Sequence, residues 1–145
     1  MTRNKNILSA GFTIVELAVV LGVLVILIIL TATIYTGTRT RTLAANAENN
    51  AKFLQKKLQA YFNVNNRYPT AATATTDLNS QASSKLEGVV TLGSPTATNG
   101  ERTMRLRICT SGYTIAYWDY STNTLPSSPQ ITGGADATTG CANAT

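Results

Sequence analysis

The sequence predicts an α+β chain. A long N-terminal α-helix, membrane-spanning in its first half, packs on a small C-terminal antiparallel β-sheet of three or four strands. Three observations predict it. Phe12 to Leu30 is an apolar run without proline whose only charge is Glu16. Ala47, Ala51, Leu54, Leu58, Tyr61 and Phe62 then recur at spacings of three and four, one face of a helix. Farther on, Met104, Leu106 and Ile108 alternate with Arg105 and Arg107 ahead of an aromatic, β-prone segment.

The apolar run has about the 20 residues needed to cross a hydrocarbon core as a helix. It exceeds the core of a cleavable secretory signal, about 7–15 residues, and no small-residue cut site follows Leu30. The segment before it is short and polar, with Arg3 and Lys5 its only charges. The positive-inside rule keeps that segment in the cytoplasm, although Arg39 and Arg41 beyond the run nearly balance it. Cys109 and Cys141 break the tie. Both lie past the span, and a disulfide between them requires an oxidising compartment outside. Glu16 is costly in this setting, about 2.5–3.5 kcal/mol for an acidic residue at the centre of a membrane helix. It needs a partner, or a place near the helix start where the macrodipole favours negative charge.

Past the membrane, Glu48, Lys52, Gln55, Lys56, Lys57 and Gln59 populate the polar face, with Glu48 and Lys52 in the favourable i, i+4 order. The helix is expected to stop at Asn63-Val64-Asn65-Asn66, and Pro69 bars a restart. Residues 71–85 read as a surface loop with at most a short helical turn. Gly88–Leu92 is a short strand candidate, Thr110-Ser111-Gly112 a hairpin loop, Tyr113–Tyr120 the returning strand, and Thr122–Leu125 a further short one. Cys109 falls on the arginine side of its strand, where the tail can cross. A Cys109–Cys141 bridge would pin that tail; two free thiols are the alternative.

The chain carries 12 Lys and Arg against 7 Asp and Glu, net +5, and no histidine. The commonest general base and metal ligand is therefore missing. No phosphate-binding loop, dinucleotide fingerprint or nucleophile elbow is present. No enzyme activity, metal or cofactor is expected, with Asp136 the sole weak calcium candidate. Arg102, Arg105 and Arg107 beside Tyr113, Tyr117 and Trp118 form a candidate DNA or surface contact. Solvation of an exposed sheet face explains the same arginines.

Ala10-Gly11-Phe12-Thr13-Ile14-Val15-Glu16-Leu17 resembles the motif of type IV pilins and type II secretion pseudopilins. In that family a short basic leader ends in Gly, followed by Phe-Thr, two hydrophobic residues, Glu-Leu and an uninterrupted apolar helix. The resemblance implies cleavage between Gly11 and Phe12 by a prepilin peptidase and N-methylation of Phe12. It further implies an assembly charge pair between Glu16 and the new amine of Phe12, from a neighbouring chain or its own. The partners it implies are other copies of the chain, the peptidase, a pilus or secretion assembly platform, lipid before assembly and, in some relatives, DNA. Its layout divides the chain into a leader at 1–11, a membrane and filament-core half-helix at 12–35, an amphipathic half at 36–66, and an extracytoplasmic β domain at 67–145. The disulfide-closed C-terminal loop and the Tyr68-Pro69 turn are similar to the family's. Many members carry a proline near the position of Thr33; this helix has none and is expected to run without a kink. The function implied is a structural subunit polymerised into a filament for adhesion, motility, DNA uptake or secretion. The alternative is a membrane-anchored or tip-located binding module.

Overall fold

Helix α1 runs over Ile14–Asn65 in the computed structural model, which describes residues 12–144 apart from the side chains of 32–34 and 36. Gly11 and the leader lie outside the described residues. The chain divides into two compact units, 1–38 and 39–145. Most of the amphipathic half of the helix and the β domain share the second unit.

In the first unit, Ile14–Thr31 is long and apolar enough to cross a membrane, and none of it is buried. The helix continues through Thr33 as one element, as the missing proline predicts. In the second unit, Ala47, Ala51, Leu54, Leu58 and Tyr61 are buried, so the predicted stripe is the core face. Phe62 is the exception at 39% exposed. Glu48 and Lys52 pair at 2.6 Å on the outer face. The helix stops where Asn66 turns to φ 53°, with its N–H on the carbonyl of Phe62 at 2.7 Å. Asparagine tolerates this left-handed closure better than most residues.

A 3-10 turn over Ala71–Thr73 leads into the short helix α2, Ala74–Asn79. Part of the predicted surface loop is therefore helical, and it delivers Ala74 and Leu78 to the core. The sheet has five strands: β1 (Thr91–Leu92), β2 (Thr103–Cys109), β3 (Ser111–Ala116), β4 (Ile131–Asp136) and β5 (Ala142–Asn143). They run in the order β1-β2-β3-β4, with β5 also on β2. Met104, Leu106 and Ile108 of β2 and Tyr113 and Ile115 of β3 join the helix stripe in one core.

Four sequence expectations are corrected. The sheet is mixed, because β1 runs parallel to β2 with Thr91 opposite Thr103. A parallel pair cannot close through a hairpin. Residues 93–102 make the crossover, fastened to α1 where Asn46 donates to Glu101 Oε1 at 2.7 Å and Asn50 to the Glu101 carbonyl at 2.8 Å. The returning strand ends at Ala116, not Tyr120. Beyond it the Gln130 side chain replaces the ladder, accepting from Tyr117 N–H at 3.0 Å and donating to Tyr117 O at 2.7 Å. The strand expected at Thr122–Leu125 is only a bridge between Asp119 and Thr124 around Asn123 at φ 54°. The fourth full strand is β4, within the stretch read as tail loop. There Gly133 is required by contact, since a Cβ would lie 2.4 Å from the Tyr113 ring.

Candidate functional site at the helix start

Thr13 and Glu16 close the first turn of α1 on each other. The Thr13 carbonyl accepts the first helical bond, from Leu17 N–H at 3.2 Å, which makes Thr13 the N-cap. Its hydroxyl accepts from Glu16 N–H at 3.2 Å. In return Glu16 Oε2 accepts from the Thr13 N–H at 2.9 Å and from the Thr13 hydroxyl at 2.8 Å. This is a capping box, which satisfies two amides that a helix otherwise leaves open. Thr13-Ile14-Val15-Glu16 carries the T-x-x-E signature of this cap, a local partner beyond the distant cation expected from the sequence. Among the described residues Glu16 therefore finds its partner three residues back. Both bonds use Oε2; Oε1 has no hydrogen bond among the described residues. An amine can approach Oε1 while the cap stays closed. Phe12, 75% exposed, lies just before this turn. Gly11, the other half of the expected cleavage junction, lies outside the described residues.

Fourteen large apolar side chains from Ile14 to Leu30 are exposed within the chain. Fully burying a Val, Leu or Ile side chain is worth about 1.5–3 kcal/mol. Covering this surface with lipid or protein is therefore worth tens of kcal/mol.

Cys109 and Cys141 form a disulfide. Cys109 was expected on the outward side of β2; the bridge covers it there, leaving it 6% exposed. The three arginines proposed for nucleic acid have work inside the fold. Arg102 donates to the carbonyls of Gly88 and Val89. Arg105 donates to Pro126 O at 3.4 Å, and Arg107 to Cys141 O at 3.2 Å. Each guanidinium thus straps down a different irregular segment.

Asp136 Oδ1 accepts from Thr138 N–H and hydroxyl, both at 3.0 Å, and from Thr139 N–H at 3.1 Å. These bonds hold its carboxyl below the ordinary value of 3.8, the Thr138 N–H contributing most. No group of three or more His, Cys, Asp or Glu that could hold a metal occurs among the described residues. The chain matches no family model, no curated protein and no solved structure.

Proposed function

We propose that the chain is a pilin-like filament subunit. It is made as a membrane precursor with its N-terminus inside and its disulfide-bearing domain outside. Cleavage after Gly11 and N-methylation of Phe12 follow, and the mature chains polymerise through their apolar helices. The observation that carries this reading is the exposed apolar helix Ile14–Thr31, with its lone carboxylate four residues after Phe12. Lipid covers that surface before assembly, and other copies cover it afterwards. Because Oε1 accepts no hydrogen bond among the described residues, a cation delivered by cleavage gains a partner there without uncapping the helix. A charge pair in low dielectric is favourable only with such complete bonding, and losing one member leaves the other unpaired.

The experiment has two arms. Intact-mass analysis of the chain from its producing cell is expected to show a mature protein beginning at methylated Phe12. A start at Met1, or anywhere else, overturns the processing claim. Electron microscopy of sheared surface material is expected to show filaments containing the chain, lost in Glu16→Ala while cleavage persists. Normal filaments from that variant overturn the pairing role. Strapping of Arg102, Arg105 and Arg107 onto the fold favours no DNA role for them.

A further inference from the structure

Where α1 ends beside the β2–β3 hairpin, Phe62, Arg67 and Tyr68 line an open groove of about 500 Å³. All of it belongs to the second unit. Its floor depends on a close backbone approach. Gly134 adopts φ 93°, and a Cβ there would lie 2.4 Å from Gly112 Cα and 3.0 Å from the Tyr68 ring. Tyr68 is held between Phe62 at 4.8 Å and Tyr113 at 5.1 Å between ring centroids, which fixes the orientation of its ring. Phe62 keeps part of its ring in solvent at the groove.

The Thr70 and Thr110 hydroxyls of the lining are engaged, with the Thr73 hydroxyl and with Thr139 O, whereas four other polar groups there are not. Arg67 forms no hydrogen bond or ion pair among the described residues, in contrast to the three strapping arginines. The Asn66 side-chain amide and the Ser111 and Tyr68 hydroxyls are likewise unbonded among the described residues. One free cation, three groups that both donate and accept, and two aromatic rings thus belong to residues lining one space.

We infer that this groove binds a carboxylated sugar, of the uronic acid type, within an oligosaccharide. The volume lies in the range of small-molecule sites, about 300–1,000 Å³. A guanidinium fork matches a carboxylate through two parallel bonds. The amide and hydroxyls suit sugar hydroxyls, which also donate and accept at one position. The apolar C–H face of a pyranose ring lies on the exposed part of the Phe62 ring, which Tyr68 backs. A nucleic-acid strand fits less well, since successive phosphates call for successive cations and the groove offers one. An acidic peptide offers a carboxylate to Arg67 but no pyranose face to Phe62.

This inference does not depend on polymerisation, and the test uses the monomer. The full chain in detergent micelles is titrated by calorimetry with a glucuronic acid-containing tetrasaccharide and with its methyl ester. The acid form is expected to bind saturably, one per chain. Esterification and Arg67→Gln are each expected to weaken binding about tenfold or more, the scale of one charge-assisted hydrogen bond. Combining them is expected to add little further loss. Arg39→Gln, outside the groove, is expected to change nothing. Exposed Arg67 permits a folding control, an unchanged urea midpoint for Arg67→Gln. No saturation at millimolar sugar overturns the inference. So does unchanged affinity in Arg67→Gln, equal weakening by Arg39→Gln, or equal affinity for an acidic peptide or oligonucleotide of the same charge.

Discussion

Replacing Cys109 and Cys141 together by alanine removes the bridge without placing a hydroxyl at the buried Cys109 position. The bridge spans a sequence separation of 32 residues. The chain-entropy model for a loop of that size gives about 12 cal/mol/K, or about 3.7 kcal/mol at 25 °C. Native attachments of the tail survive the change. Ala144 N–H still reaches Leu106 O at 2.8 Å, and β5 still pairs with β2. The loss therefore falls on the unfolded state, which gains a free loop. With a urea slope of about 2 kcal/mol/M, the midpoint should fall by about 1.5–2 M. Trp118, the single tryptophan, reports unfolding by fluorescence from the full chain in micelles. Wild type in reductant should match the variant. A fall below about 0.5 M in both would refute the claim that the bridge, and not the β5 pairing, secures the tail.

Leu58→Ala should cost about 2–5 kcal/mol in the same titration, as a fully buried leucine in the helix–sheet core; a change under about 1 kcal/mol would mean the stripe is not load-sharing. Thr13→Ala should lower α-helical content at the start of α1, read by amide exchange at Ile14–Glu16, because it removes the hydroxyl that accepts from Glu16 N–H and donates to Oε2, leaving only the Thr13 N–H bond to Oε2; unchanged exchange would refute the capping role of the hydroxyl. Asp119 and Asp136 titrate below the ordinary carboxyl value of 3.8, each through hydrogen bonds from nearby Ser or Thr groups. Their stabilising contribution is complete above that value and is lost as pH falls through the lower folded values. Asp119→Asn with Asp136→Asn should therefore flatten the fall in urea midpoint between about pH 5 and pH 2; an unchanged slope would refute the assignment.

The parts of this fold that were legible are the periodic ones. The apolar run, the stripe from Ala47 to Tyr61 and the alternation through Met104, Leu106 and Ile108 each place their side chains where spacing predicts. Strand β4 was not legible, because Ile131-Thr-Gly-Gly-Ala-Asp136 has two residues that disfavour strands on their own. Those glycines answer to the Tyr113 and Tyr68 rings and to Gly112, contacts that exist only after folding. Parallel pairing of Thr91–Leu92 with β2 likewise depends on how residues 93–102 cross, which local preference does not encode. Helix α2 hid in an Ala- and Thr-rich stretch whose only apolar anchors are Ala74 and Leu78. At the candidate site the sequence located Glu16 and its need for a partner. The local partner Thr13 was legible as well, since T-x-x-E spacing encodes a capping box.

The straps on the second unit share a property beyond stability. Arg102, Arg105, Arg107, Lys57 and Asn50 all donate to main-chain carbonyls, of Gly88 and Val89, Pro126, Cys141, Ser83 and Glu101 respectively. A carbonyl is the same whichever side chain its residue carries. Apart from the Glu101 carboxylate and the Cys141 bridge, these grips are sequence-blind, and a change of side chain at Val89, Pro126 or Ser83 leaves the gripped carbonyl in place. A surface of this kind can change its chemical face rapidly while the positions that do the gripping stay fixed.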